Sequence, residues 1–339
     1  MAVSKIDMAI VGATGLVGSE LIEALIYKNF PAGEVRLFAS WNTAGEKIDF
    51  MDDDIQVKPI SADFHEGVGI VFMAAHPMVS RDLSEQAAKA GAVVIDASRA
   101  FRMDKKVPLV VPDINGDTLG NIAESGGIIA SPSPQAVAVS LVAAPLDRNW
   151  GVERIISTAI HGTTAAGRSG FEEHQRQTID IFNQAEVKME KFTRQSAFNI
   201  FPRVGDFEAD DTIAERELME EVPRVLGKKL RIAGTSVQAP YFCGVGLSLN
   251  IELGAHAEPV EIRSALSEAA GVSVLDDPDQ EIYPDTLAAM ARDEVLVGRV
   301  RPDPSNPNTV QLWVSMDNLR KGAALNMVQI AEIIASKID

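Results

Sequence analysis

Apolar residues are arranged in two different ways along the chain, and the change comes near residue 134. Up to that point they form short continuous runs, at residues 8–11, 35–39, 69–75, 92–96 and 127–130. Runs of this kind predict strands buried on both faces of a parallel sheet. Helical-period patterns over 19–27, 80–90 and 116–124 fall between them and predict the crossovers of a doubly wound α/β fold. Residues 1–133 therefore read as a Rossmann-type domain. Beyond them the pattern predicts a helix over 134–146, a strand over 152–159, a glycine-containing loop over 161–170 and a polar helix over 171–183. Alternation over 231–240, 246–252, 296–300 and 309–315 predicts antiparallel strands, so residues 134–321 read as a mixed α+β domain. A last helix, rich in alanine and spanning 322–336, is expected to pack back on the first domain and complete it as segment 322–339.

Composition narrows the function more than the fold. A chain of 339 residues suits two domains at roughly 100–200 residues each. With 46% hydrophobic and 23% charged residues it can bury real cores. The net charge of −17 argues against a phosphate-binding nucleic-acid face, which needs clustered Lys and Arg. No stretch approaches the ~18 apolar residues of a membrane span, and Met1-Ala2-Val3-Ser4-Lys5 leads into a strand pattern without a signal-peptide core. A cytoplasmic protein is expected. Its single cysteine, Cys243, excludes an intrachain disulfide and a cysteine metal cluster. His65, His76, His161, His174 and His256 show no metal-ligand spacing, so no metal is expected.

The first strand runs directly into Gly12-Ala13-Thr14-Gly15-Leu16-Val17-Gly18 and then into a helix. Strand, glycine turn and helix are the parts of a dinucleotide site, where the backbone approaches a pyrophosphate and the helix N-terminus meets its charge. Gly12, Thr14, Gly15, Val17, Gly18 and, at the end of the second strand, Ser40 are the candidate cofactor contacts. The spacing is G-x-x-G-x-x-G, and a tight turn without a ligand is the competing reading. Choice of cofactor stays open between NAD and NADP. Ala39-Ser40-Trp41-Asn42 offers no acid for a ribose hydroxyl, and Arg36 lies inside the strand.

Five segments carry a resemblance to the aspartate-semialdehyde dehydrogenase family: Val11 to Gly18, Val107 to Asn115, Gly127 to Ala130, Val297 to Arg301, and Asp317-Asn318-Leu319-Arg320-Lys321-Gly322-Ala323-Ala324. The chain is most similar to its Usg-type branch. The resemblance implies a homodimer, an N-terminal dinucleotide domain completed by the C-terminal helix, and a second domain for catalysis and dimerisation. It places Asn318 near the nicotinamide and gives Arg102 contact with an anionic phosphate or substrate. A surface ion pair is the alternative for Arg102. In the family a cysteine thiolate, activated by a histidine, attacks the aldehyde, hydride passes to the nicotinamide, and phosphate releases the acyl group.

Carried onto this sequence, the nucleophile falls on Pro134 in Pro132-Ser133-Pro134-Gln135-Ala136. The arginine that holds the carboxylate falls on Gln238, the histidine base seven residues later on Val245, and a substrate lysine on Leu218. Cys243 reads as a small, partly buried apolar side chain. Ser131 and Ser133 have hydroxyls without a matching base. His161, beside Thr163 and Thr164, is a weak catalytic candidate against a structural role. The expectation is a homologue without dehydrogenase activity that retains dinucleotide binding and acts through assembly, as a homodimer or with an active homologue or another protein. The alternative is an active NAD(P)-dependent oxidoreductase on an aldehyde or acyl phosphate, using relocated residues such as His161, Thr163 or a serine near Ser131.

Overall fold

A computed structural model describes residues 5–51, 53–120 and 122–338. The stretch Met1 to Ser4, on which the leader-free start rests, lies outside the described residues. Two compact units are present, one holding the chain up to Pro132 together with the part from Ala323 onward, the other Ser133–Gly322. The division falls one residue before position 133 and one after position 322, so Ser133 and Gly322 belong to the second unit.

The first unit begins with β1 (Ile6–Val11), α1 (Leu16–Tyr27) and β2 (Ala32–Ala39). A hairpin of β3 (Lys47–Phe50) and β4 (Asp53–Gln56) follows, then β5 (Lys58–Pro59), β6 (Ile70–Met73), α2 (Pro77–Lys89) and β7 (Val93–Asp96). Two short helices, α3 (Pro112–Asn115) and α4 (Ile122–Ser125), precede β8 (Gly127–Ala130). The main sheet runs β5-β2-β1-β6-β7-β8 with every pairing parallel. Strand order reverses between β1 and β6, and a crevice at the carboxyl ends of those strands is where such sheets bind ligands. Residues 116–124 do not form one helix. Gly120, at φ 48°, separates a 3-10 turn over Gly116–Leu119 from α4.

The second unit opens with α5 (Pro134–Trp150), β9 (Val152–His161) and α6 (Gly167–Phe182). The two-residue strands β10 (Phe207–Glu208) and β11 (Asp211–Thr212) lead into α7 (Ile213–Val225) and β12 (Arg231–Gln238). Then come β13 (Val245–Leu253), α8 (Pro259–Ser267), β14 (Val272–Val274), β15 (Val295–Pro302) and β16 (Thr309–Met316). The sheet order is β12-β9-β13-β16-β15-β14. Here the structure corrects one expectation: β12 lies parallel to β9, whereas β13 runs antiparallel to both β9 and β16, and β15 antiparallel to β16. Residues 161–170 are also more regular than a loop, because β9 continues to His161 and a 3-10 turn over Thr163–Ala166 leads into α6.

After a π-helical turn at Arg320–Ala324, the final helix α9 (Leu325–Ile338) belongs to the first unit. Its Met327, Val328, Ile330, Ala331 and Ile334 are fully buried in the same core as Met8 and Ile10 of β1 and Leu21 and Leu25 of α1. Phe64, Val71 and Val94 anchor the core on the other side of the sheet. Apolar residues at helical spacing explain why α9 is buried along its length.

Candidate functional site

The candidate residues form two groups, one in each unit. In the first, β1 ends at Gly12, whose φ of 88° suits only glycine, and a Cβ there would lie 2.3 Å from the Ala74 carbonyl oxygen beyond β6. A Cβ at Gly18 would lie 2.1 Å from the Gly12 oxygen. Both glycines are thus required by the protein's own packing. Gly15 differs, because its φ is an ordinary −74° and its Cβ would meet the Gly12 oxygen at 3.2 Å. It is the N-cap of α1, a helix whose first turn carries no acidic residue and no side-chain cap. An uncapped first turn next to a residue without a side chain fits a pyrophosphate. Val17 packs its side chain on the core, so only its main chain faces that role. Thr14 is tied through Oγ1 to Thr43 Oγ1 at 2.8 Å, which joins the turn to the loop after β2. Ser40 is exposed at the end of β2. Arg36, further back in the strand, is occupied by Glu34 at 2.8 Å and by the Glu66 carbonyl at 2.7 Å.

Arg102 is buried and faces main chain, with Nε donating to the Ser131 carbonyl at 3.0 Å and Nη2 to the Ala97 carbonyl at 2.7 Å. At 7% exposure Arg102 does not lie on the surface. Nearby Asp96 has its carboxyl pushed up by burial, against hydrogen bonds from Ser98 and the positive charge of Arg102. Ser131 Oγ accepts from Asn326 Nδ2 at 2.9 Å, so that hydroxyl is built into the first unit's hydrogen-bonding.

The second group surrounds the start of α5. Pro134 occupies the first helical position, where a fixed φ and a missing N–H cost nothing. Ser133 is the N-cap, yet its Oγ makes no cap; it is buried with no hydrogen-bond partner among the described residues. Its main-chain N–H instead donates to Glu221 Oε2 of α7 at 2.6 Å. A carboxylate already sits where an anion would dock. Gln135, one residue on, is buried; its Nε2 donates to the Ala214 carbonyl and its Oε1 accepts from Ser236 Oγ at 3.3 Å.

Register brings three sequence-predicted positions together: Gln238 of β12 pairs with His161 of β9, and His161 pairs with Val245 of β13. Side chains in one rung are neighbours. None of the three presents a charged group or a thiol. Val245 is fully buried, and Gln238 Nε2 donates to the His161 carbonyl at 2.9 Å and the Ala239 carbonyl at 3.2 Å. His161 Nε2 lies 3.2 Å from Gln135 Oε1. An amide oxygen only accepts, so Nε2 carries the hydrogen. Burial pushes this imidazole down to about 4, so it is neutral at pH 7 and a weak base.

Thr163 Oγ1 is buried without a partner among the described residues, while Thr164 Oγ1 donates to Asn318 Oδ1 at 3.1 Å. Asn318 Oδ1 also accepts from the Gly244 N–H at 2.6 Å, which knits three loops and leaves the amide nitrogen for other duty. Cys243 is half-buried in the turn before β13. Leu218 is buried on α7, against Gly234 of β12. Among the described residues no three of His, Cys, Asp and Glu are grouped to hold a metal.

Glu221, Gln135 and Glu215 are the residues sequence reasoning missed. Glu215 closes a capping box with Thr212 and accepts the Ser236 N–H at 2.9 Å. The Thr212-x-x-Glu215 spacing could have signalled that cap. Glu221 had no local signal, because its partner is 88 residues away.

The profile of the semialdehyde dehydrogenase NAD binding domain matches residues 7–122, and that of the semialdehyde dehydrogenase dimerisation domain matches residues 143–321. Aspartate-semialdehyde dehydrogenase of Rickettsia conorii is 34% identical over 329 residues, 97% of each chain. A USG-1 protein homolog of Azotobacter vinelandii is 37% identical over 332 residues, again 97% of each chain. The crystal structure of aspartate semialdehyde dehydrogenase II from Vibrio cholerae, complexed with ASA, superposes with a TM-score of 0.93 at 31% identity, covering 99% of this chain and 100% of that one. With a parallel dinucleotide-type sheet, a second mixed sheet and both domain profiles present, the chain belongs to the aspartate-semialdehyde dehydrogenase family.

Proposed function

We propose that the protein is a homodimeric, cytoplasmic, dinucleotide-binding member of its family that does not carry out the dehydrogenase reaction. The observation that carries this is the mouth of α5. A proline stands at the position the family resemblance gives to the nucleophile, and the adjoining N–H is already held by Glu221. Val245 supplies no base, and the only cysteine, Cys243, lies in a different turn. Dinucleotide binding is supported by the uncapped first turn of α1 and the side-chain-free Gly15. When bound, a nicotinamide cofactor would supply hydride chemistry; Gly15, the main chain of Val17, Thr14 and Ser40 would hold it. Homodimerisation is supported by the dimerisation-domain match.

One fact favours the rival reading of relocated chemistry: His161 stands beside Val245 in the same rung. Against it, the ring is neutral, desolvated and bonded to Gln135. The test is phosphate-dependent oxidation of aspartate semialdehyde by purified protein, with NAD and with NADP. No turnover is expected for the protein or for Pro134→Cys alone. Turnover abolished by His161→Ala would overturn the reading. Sedimentation should give twice the 36.4 kDa chain mass.

A further inference from the structure

We infer that the dinucleotide site selects NAD over NADP, with Trp41 as the platform for the adenine; this rests on the dinucleotide reading above. In a doubly wound sheet the adenosine ribose lies over the carboxyl end of the second strand, where an acid takes the 2′-hydroxyl of NAD or an arginine takes the 2′-phosphate of NADP. The loop at that place, Ser40-Trp41-Asn42-Thr43-Ala44-Gly45, contains no charged residue.

The loop is held in one shape. Thr43 and Ala44 N–H groups donate to the Ser40 carbonyl at 3.1 Å, Gly45 N–H donates to the Val57 carbonyl at 2.8 Å, and Thr43 is joined to Thr14 of the glycine turn. The cations around it have other partners or stand apart. Arg36 grips Glu34 with two nitrogens, at 2.8 and 3.2 Å, and the Glu66 carbonyl with the third. Lys47 is 3.9 Å from Asp54 in the hairpin, and Lys58 lies with Glu34, Asp53 and Asp54 along the groove beside β2. A 2′-phosphate here would leave water for a loop that itself carries no cation, with the nearby Arg36 already engaged, in the field of a chain carrying −17. A 2′-hydroxyl needs only neutral partners, and Ser40, Asn42 and Thr43 are neutral donors and acceptors.

Trp41 is 79% exposed on this fixed loop. An indole has a face on which any base stacks, worth about tenfold or more in affinity.

The experiment is calorimetric titration of the full chain with NAD and with NADP, repeated on Trp41→Ala and Asn42→Arg. NAD should bind at least about tenfold more tightly than NADP, the scale of one charge-assisted contact. Trp41→Ala should weaken NAD about tenfold with its melting temperature unchanged, and Asn42→Arg should raise the affinity for NADP relative to that for NAD. Equal or tighter NADP binding overturns the selection and leaves dinucleotide binding standing. Unchanged NAD affinity in Trp41→Ala overturns the platform. Binding of neither nucleotide removes the dinucleotide reading itself.

Discussion

Two helices, α1 in one unit and α5 in the other, begin where a buried strand ends, and their first turns are treated in opposite ways. At α1 the N-cap is Gly15, no side chain closes the turn and no acid stands in it. At α5 the N-cap hydroxyl is buried, the adjoining N–H is bonded to Glu221, and Gln135 is locked to Ala214, Ser236 and His161. Both ends have the same electrostatic character, positive and rich in N–H groups. What separates them is occupancy by the protein itself: the first turn of α1 holds no acid and no side-chain cap, while the start of α5 has an internal carboxylate built in. A helix N-terminus is therefore informative only with its surroundings.

The comparison can be broken most strongly at Gly12. Gly12→Ala puts a Cβ against the Ala74 oxygen in a left-handed backbone, and should destabilise by on the order of 3–5 kcal/mol in urea denaturation. Gly15→Ala should stay within about 1 kcal/mol while weakening NAD binding; a large loss of stability there would remove the distinction between packing glycine and ligand glycine.

At the α5 end, pH is the next lever. In the unfolded chain the His161 imidazole protonates at its ordinary 6.5, in the folded one at about 4, so between these values the unfolded state carries more protons. Stability from this group is full above pH 6.5 and is lost as pH falls to about 4, by at most about 3 kcal/mol. His161→Gln should flatten that slope in urea midpoints measured from pH 4 to 7. An unchanged slope would mean the ring is accessible to water and the site less dry than its burial implies.

Glu221→Ala should cost about 1–3 kcal/mol, because it leaves the Ser133 N–H buried without an acceptor. If it proves neutral by thermal melting, the α5 end is not closed by that carboxylate. The smallest effect belongs to Thr43→Val, which removes the Thr14 contact and should lower stability by less than about 1 kcal/mol.

The sheet of the first unit was readable because strands such as Ile70–Met73 and Val93–Asp96 are buried at every residue, and burial on both faces leaves an uninterrupted apolar run. The direction of Arg231–Gln238 was not. Its alternation reports which face is covered and carries no information about the direction of the neighbouring strand. The hairpin at Lys47–Phe50 and Asp53–Gln56 was missed since its charged residues leave little alternation to find. Among candidate site residues, the glycine turn was legible from local spacing, whereas the closure of α5 depends on Glu221 and Gln135 meeting groups distant in sequence.

Pro134 has a further consequence for how such a chain can change. A proline at the first position of a helix restricts the unfolded chain and fits the folded one without strain, so replacing it forfeits about 0.4–1 kcal/mol before any new chemistry appears. Any substitution that placed a reactive side chain at this position would therefore begin from a less stable chain. Its contribution to stability is thus independent of whatever chemistry the site does or does not perform.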